Sequence, residues 1–338
     1  MKFIKENTRL VRVERVEPLA VDQISDPVHL TNNLLETKPR RTERRYLYMR
    51  LSEVDDLCPR EWVIGHLTDN PRMDTHHFST VCMMDMGSSL HHWIQNSPVY
   101  FGERLLGYWR CLACNNIRRF GVRPTEPCEV CNALPAATQY EEWMCRMEKP
   151  YRVVMKLDAI LRMSQNVYRF GDIKTTGKEV LAPAGKDVAQ LVGYMFFYQF
   201  VPEEKKLPVP IDTSCGYLFY FTKIFNVRAP VKTFAVRPNQ TLCNALQAKA
   251  EYFTRGVDEG ILPPPINVCL GTAFTGTRAR SCAQCSACST LYNRGQTKIE
   301  RGDNEFYRIG HQSDRDRVRD NTPESVYIPD VPDSVETP

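Results

Sequence analysis

Alternating apolar and polar positions mark two neighbouring strands in the middle of the chain. The runs YRVVMKLDAILRM (151–163) and VYRFGDIKTT (167–176) are separated by a Ser-Gln-Asn link. A link this short suits a hairpin, so the two strands are predicted to be antiparallel neighbours. The later runs GYLFYFTKIF and VKTFAVR have the same strand character.

Helical periodicity marks the segments around these strands. LSEVDDLCPREWVIGHL (51–67) is predicted to form a helix with Ser52 as its N-cap, and another helix is expected over 84–95. Apolar faces also predict helices over 186–200 and 239–258. Together these elements indicate an α/β (α+β) fold, in which a mixed central sheet of about five strands is flanked by helices.

The composition is that of an ordinary globular protein, with 42% hydrophobic and 25% charged residues among 338. A net charge of +4 permits a nucleic-acid partner without requiring one. No apolar run predicts a membrane span, and the charged N-terminus lacks the apolar core of a signal peptide. We therefore expect a cytoplasmic protein, bacterial or in a host cytoplasm if the source is viral, with no membrane partner.

Two carboxylates and a lysine are predicted to meet on the hairpin. Asp158 lies on the first strand, and Asp172 and Lys174 lie two positions apart on the second, so that they share one face. Such carboxylates can hold divalent cations that activate water and polarise a phosphate, while the ammonium group offsets the developing charge. The plainer alternative is a solvated ion pair on a surface strand.

Four motifs in order resemble the PD-(D/E)XK nuclease superfamily, in particular its RecB-type branch. They are Gly87-Ser-Ser-Leu-His91, Asp158, Asp172-Ile-Lys174 and Gln190-Leu-Val-Gly-Tyr194. The resemblance implies a restriction-endonuclease-like fold and hydrolysis of DNA with Mg²⁺ or Mn²⁺. It further implies site roles for the matching residues, with His91, Asp158, Asp172 and the Ile173 carbonyl as metal ligands, Lys174 as a catalytic group, and Gln190 and Tyr194 next to the DNA or the lysine.

The 13 cysteines are mostly clustered, which indicates metal sites in a reducing compartment. Cys111-Leu-Ala-Cys114 and Cys128-Glu-Val-Cys131 are 13 residues apart, a spacing typical of a zinc ribbon. Four unliganded thiols are the alternative. The ribbon also carries basic residues that could contact DNA phosphates: Arg118, Arg119 and Arg123, near Trp109 and Arg110.

A second cluster can hold either a zinc ion or an iron–sulfur cluster. Its candidate ligands are Cys58, Cys269, Cys282, Cys285 and Cys288. The chain also resembles the iron–sulfur CRISPR-adaptation exonucleases and AddB-type nuclease domains, whose [4Fe–4S] cluster takes one cysteine before the nuclease motifs and three after them. That resemblance implies Cys58, Cys282, Cys285 and Cys288 as ligands, with Cys269 as the alternate. The CxxCxxC spacing departs from the usual pattern. Four isolated cysteines are predicted to be small core residues: Cys82, Cys145, Cys215 and Cys243.

Three segments follow from these patterns. Residues 1–48 form a basic arm whose KPRRTERR run either touches nucleic acid or is a solvated charge run. Residues 49–290 are expected to form the nuclease domain that the resemblance implies, with the ribbon inserted at about 105–140 and the cysteine cluster at 269–288. Residues 295–338 are polar, charged and proline-containing, as in a disordered tail.

The motifs favour a metal-dependent deoxyribonuclease, an exonuclease more than an endonuclease, that acts on DNA ends or single strands in recombination, repair or replication. Other recombination or replication proteins are candidate partners, and a stand-alone nuclease of this size suits a phage or mobile element. Two alternatives stay open. One is a catalytically silent DNA-binding or recombination-mediator protein on a nuclease scaffold, and the other is a zinc-dependent interaction module.

Overall fold

The computed structural model describes residues 3–6, 9–12, 40–44, 47–55, 57–68, 72–76, 78–223 and 230–299. The chain divides into two compact units. One unit comprises residues 1–42 and 74–85, and the other comprises residues 43–73 and 86–338. Most of the predicted basic arm, and the predicted tail beyond residue 299, lie outside the described residues.

The described chain contains both strands and helices, with a run of consecutive strands in its middle and a run of helices at its C-terminal end. The strands are β1 (Phe3–Glu6), β2 (Arg9–Arg12), β3 (Arg40–Arg44), β4 (Met49–Arg50), β5 (Arg72–His76), β6 (Leu105–Cys111), β7 (Ile117–Gly121), β8 (Thr138–Glu141), β9 (Trp143–Met147), β10 (Val153–Leu157), β11 (Ala159–Ser164), β12 (Val167–Thr176), β13 (Gly216–Thr222) and β14 (Val231–Val236). The helices are α1 (Pro59–Leu67), α2 (Phe78–Asn96), α3 (Gly185–Tyr198), α4 (Gln240–Glu259), α5 (Asn267–Gly271), α6 (Thr277–Arg280) and α7 (Cys285–Asn293).

The largest sheet has seven strands in the order β14-β13-β12-β11-β6-β7, and β8 pairs with β6 beside this path. Strands β12 and β13 are parallel, whereas the other neighbours are antiparallel. A mixed sheet flanked by helices is therefore confirmed. It exceeds the predicted five strands because the inserted ribbon adds β7 and β8 to one edge.

The predicted hairpin forms between β11 and β12, where Ala159 lies opposite Gly171. The first predicted strand (151–163) is nevertheless interrupted at Asp158, where the chain bends. Strand β10 before the bend pairs with β9 and β4 in a separate three-stranded sheet, and β11 after the bend joins the large sheet. Asp158 thus lies where the chain passes from one sheet to the other.

The predicted helix over 51–67 is wrong in its first half. Leu51–Glu53 forms a single 3₁₀ turn that begins after Arg50, so Ser52 is not a helix N-cap. Helix α1 begins only at Pro59, with the extended residue Cys58 before it. Proline lacks an N–H and restricts the preceding residue to extended conformations, so it suits the first position of a helix and not its interior.

Local signals set both ends of α4. The Asn239 side chain accepts a hydrogen bond of 2.7 Å from the Leu242 N–H, and Gly260 ends the helix in the left-handed region at φ 73°. Ile299 returns to this end, because its N–H donates to the Gly260 carbonyl at 3.0 Å and its side chain is buried. Residues 295–299, which were predicted to belong to the tail, thus pack against the described chain.

The main core lies where helices α1, α3 and α4 pack together and against the sheets. Buried residues from these helices include Val63, Leu191, Phe197 and Phe253, and the Trp62 ring meets Phe253 edge to face at 6.1 Å. Among the described helices, none is long and apolar enough to span a membrane.

We predict that Gly256→Ala destabilises the protein although alanine favours helices. A Cβ at position 256 would overlap the Val63 side chain of α1 and lie 3.0 Å from the Ile261 carbonyl oxygen. We expect the free energy of unfolding to fall by about 1–3 kcal/mol, which urea denaturation would measure. Gly271→Ala is the matched control, because no atom lies within 4 Å of a Cβ built there. Equal stability of the two variants would contradict the prediction.

Candidate functional site

The hairpin places Asp172 and Lys174 in contact, as their spacing predicts. The Lys174 Nζ lies 2.8 Å from the Asp172 Oδ2, and it donates a hydrogen bond of 2.7 Å to the Gln190 Oε1. Asp172 is buried, with 1% of its surface exposed. The lysine is thus held between the β12 carboxylate and helix α3.

One face of α3 completes this side of the site. The Gln190 Nε2 donates to the Tyr194 Oη at 2.6 Å and to the Asp172 Oδ1 at 3.3 Å. Asp187, three residues before Gln190, lies 3.7 Å from the Lys174 Nζ and accepts a hydrogen bond of 2.5 Å from the Tyr220 hydroxyl. Sequence reasoning did not single out Asp187, although the three-to-four-residue spacing that relates Gln190 to Tyr194 also reaches it.

Asp158 and His91 approach from the other side. The Asp158 Oδ2 accepts a hydrogen bond of 2.9 Å from the Ile173 N–H, and the His91 Nδ1 lies 3.6 Å from the same oxygen. The residues of the four motifs are thereby brought to one place. The Ile173 N–H contacts Asp158, while the metal-ligand role of its carbonyl remains a prediction.

The electrostatics of the site are those of two crowded carboxylates. Burial raises the pKa of Asp172, and the neighbouring Asp158 raises it further. Burial also raises the pKa of Asp158, an effect that Lys174 opposes and Glu142 increases. The lysine ammonium cannot neutralise these negative charges alone. The buried Asp172 Oδ2 forms an ion pair with the Lys174 ammonium group and receives no other hydrogen bond in the described part of the chain.

This set of donors fits a hard divalent cation. Carboxylate oxygens are the ligands that Mg²⁺ prefers, and Mn²⁺ also accepts imidazole nitrogen. Burial lowers the pKa of His91, which favours the neutral imidazole that coordinates metal ions. His91, Asp158 and Asp172 are therefore the residues that could hold such an ion.

Two further polar residues at the site were missed by sequence reasoning. The buried Gln95 amide donates to the Asp158 carbonyl at 2.8 Å and to the Glu142 Oε1 at 3.0 Å. Glu142 also forms an ion pair with Lys156. Gln95 follows His91 by four positions, so helical spacing could have indicated it. Glu142 gives no comparable signal, because long-range strand pairing brings it here.

The ribbon cysteines form a compact tetrad. The Sγ atoms of Cys111 and Cys131 are 3.6 Å apart, those of Cys114 and Cys128 are 3.7 Å apart, and all four lie within 4.8 Å of one another. These four cysteines could hold a metal ion. Zinc–thiolate bonds of about 2.3 Å in a tetrahedron require this kind of close approach.

The two knuckles of the ribbon have the same backbone. The asparagine after each CxxC is left-handed, with φ 59° at Asn115 and 57° at Asn132, and its N–H donates at 2.8 Å to the carbonyl of the first cysteine. Asparagine tolerates this conformation better than most residues. Backbone N–H groups lower the pKa values of Cys111 and Cys128, the first cysteine of each knuckle, which favours their metal-binding thiolates. Burial and the neighbouring thiols raise the pKa values of Cys114 and Cys131.

Several ribbon arginines are engaged within the protein. The Arg118 Nη1 donates to the Glu126 carbonyl at 2.8 Å, and Arg110 pairs with Glu141. Arg123 lies 5.9 Å from the centre of the Trp109 ring and donates to the Asn96 carbonyl at the end of α2. Arg119 is exposed. Contact between these arginines and DNA remains a prediction.

All five cysteines of the second cluster line one small cavity: Cys58, Cys269, Cys282, Cys285 and Cys288. Burial raises the pKa values of Cys58, Cys269, Cys282 and Cys288. The Arg60 Nε donates to the Cys288 Sγ at 3.2 Å. Unlike the ribbon tetrad, no three of these thiols lie within 4.8 Å of one another.

Several of these thiols could hold a metal centre together. The cavity joins the start of α1 to the C-terminal helices α5 and α7. The isolated Cys145, Cys215 and Cys243 are buried, whereas Cys82 is half-buried.

Comparison with known proteins adds little to this geometry. No protein-family model matches the chain, and no curated protein sequence matches it. Among solved structures, one described as "Crystal structure of SSO0001" is similar with a TM-score of 0.29 and 12% identity, covering 65% of this chain and 85% of that one. A TM-score this low does not establish a shared fold.

We predict that Cys111→Ser releases the metal of the ribbon, because a hydroxyl is a poor substitute for one of four thiolates. Metal analysis of the purified variant should show less bound zinc than the wild type. Cys82→Ser is the control, since Cys82 is half-buried and outside both clusters. Equal zinc in Cys111→Ser and wild type would contradict a zinc site at the tetrad.

Proposed function

We propose that the chain is a metal-dependent deoxyribonuclease with a restriction-endonuclease-like core, of the PD-(D/E)XK type. The proposal rests on one observation, the meeting of Asp158, Asp172 and Lys174 between His91 and Gln190. An ordinary surface ion pair would not account for two crowded carboxylates, one of them 1% exposed. Ionised carboxylates are costly to bury unless a cation compensates them.

The ion would supply Lewis-acid chemistry when bound by His91, Asp158 and Asp172, polarising the phosphate and lowering the pKa of a water molecule. Lys174 has the position and charge to orient the attacking water and to stabilise the extra negative charge of the transition state. Burial opposes its charged form, but Asp172 and Asp187 keep its pKa above the usual value. Gln190 fixes the direction of the ammonium group through its Oε1.

DNA ends or single strands in recombination, repair or replication are the proposed substrates. Exonuclease action is favoured over endonuclease action. Zinc is the proposed metal of the ribbon, and the exposed Arg119 of the ribbon is a candidate phosphate contact. The protein would work in a cytoplasm, together with other recombination or replication proteins.

The five-cysteine cavity is proposed to hold a [4Fe–4S] cluster through four of its thiols, with Cys58, Cys282, Cys285 and Cys288 the leading set and Cys269 the alternate. The cluster would link the start of α1 to the C-terminal part of the described chain, since one ligand precedes α1 and the others lie more than 200 positions later. Arg60, through its bond to the Cys288 Sγ, would help to neutralise the bound thiolates.

The nuclease proposal predicts that the wild type degrades end-labelled linear DNA in the presence of Mn²⁺ and that Asp172→Ala and Lys174→Met do not. Each loss should exceed about 10²-fold in rate, because each variant removes a charge that acts on the transition state. Lys206→Met is the matched control for lysine removal, since Lys206 pairs with Glu203 at the surface.

The product ladder would report polarity and distinguish single-stranded from duplex substrates. If the wild type binds DNA with its metals present and still cleaves none, the catalytic proposal fails. A catalytically silent DNA-binding protein would then be the better interpretation.

The cluster proposal predicts that anaerobically purified protein is coloured and contains iron and acid-labile sulfide. Cys58→Ala and Cys288→Ala should lose most of the visible absorbance, because each removes a ligand from the cavity. Cys243→Ala should keep it, since Cys243 is buried on α4 and does not line the cavity. A colourless wild type with zinc beyond the share of the ribbon would refute the iron–sulfur assignment.

A further inference from the structure

Asp158 is fixed by more than the contacts of its carboxylate. It lies in a bend between two sheets, so neither strand ladder holds its backbone. The Gln95 amide donates to the Asp158 carbonyl at 2.8 Å, and Gln95 is only 3% exposed. The same nitrogen donates to the Glu142 Oε1 at 3.0 Å, so both N–H bonds of the amide are used.

We propose that Gln95 and Glu142 are positioning residues of the candidate metal site, with Glu142 orienting Gln95 and Gln95 holding Asp158 in its bend. The inference rests on the proposed nuclease function and extends it to residues outside the four motifs. Neither residue would touch the metal or the DNA. Both would act through the direction of the Asp158 carboxylate.

Helix α2 approaches Asp158 at two points. His91 and Gln95 are four positions apart, so they share one face of the helix. His91 approaches the carboxylate of Asp158, whereas Gln95 binds its main-chain carbonyl. A rotation or shift of α2 would therefore change two candidate metal ligands together, His91 directly and Asp158 through its backbone.

Glu142 connects this arrangement to the ribbon. It follows directly on β8, the strand by which the chain leaves the ribbon. The last turn of α2 is bound to the same strand, because the Asn96 Oδ1 accepts from the Tyr140 N–H at 2.7 Å and Gln139 contacts the His92 Nε2 at 2.6 Å. The base of the ribbon thus fixes the distance between Glu142 and α2, on which the Gln95 hydrogen bonds depend.

The test measures Mn²⁺ affinity directly, by electron paramagnetic resonance of free Mn²⁺ in titrations of the full-length protein. Gln95→Met removes the amide and keeps an unbranched side chain, and Glu142→Met removes its acceptor. Loss of such an outer partner weakens metal binding by roughly 10- to 100-fold. We expect a weakening on the order of tenfold for Gln95→Met and a smaller one for Glu142→Met.

The double variant tests whether Glu142 acts through Gln95. If it does, Gln95→Met with Glu142→Met should bind Mn²⁺ no more weakly than Gln95→Met alone. If the two substitutions weaken Mn²⁺ binding by factors that multiply in the double variant, Glu142 does not act through Gln95. If Gln95→Met binds Mn²⁺ as tightly as the wild type, the proposal is wrong. Ser89→Ala, at an exposed position of α2, is the control. Unchanged zinc content and melting temperature would show that the variants are folded.

The Asp172→Ala variant distinguishes a failure of the metal site from a failure of the positioning role of Gln95. If the wild type binds Mn²⁺ and Asp172→Ala does not, the metal site stands whatever the result for Gln95. If the wild type and Asp172→Ala bind alike, or neither binds, the metal site of the proposed function fails and the positioning role fails with it.

Discussion

Two carboxylates held side by side, Asp172 buried and Asp158 half-buried, are the constraint around which the candidate site is arranged. Burial raises the pKa values of Asp158 and Asp172, and the negative charge of Asp158 raises that of Asp172 further. The fold answers with Lys174, which is itself held by Gln190 and Asp187 from α3. The proposed cation would relieve the repulsion between the two acids, because its positive charge offsets both of them.

Local periodicity predicted the parts of the site that lie on single elements. Alternation along β12 placed Asp172 and Lys174 together, and helical spacing placed Gln190 beside Tyr194, as the structure has them. The hairpin and the two cysteine knuckles also follow from short-range patterns. In each case a few consecutive residues contain the whole signal, so no knowledge of distant contacts is needed.

Features that depend on distant pairing could not be predicted in the same way. The break at Asp158 occurs because β10 and β11 belong to different sheets, and nothing in residues 151–163 states which strands will flank them. Glu142 reaches the site through the same change of sheets between β8 and β9. The helix predicted over 51–67 was wrong for a different reason, because a local signal was available. Pro59 indicates a helix start at that position, but the apolar periodicity suggested a longer helix.

Strand β6 belongs to two structures at once. Its first residues pair with β11 in the body of the large sheet, and its later residues pair with β7 and β8 of the ribbon. The ribbon is thus not a removable module, and a deletion that joined residue 104 to residue 142 would take away an internal strand. Only the tip of the ribbon, which carries the two cysteine knuckles, can be separated from the sheet. A protein in which this tip is exchanged or shortened would have to keep strands β6, β7 and β8.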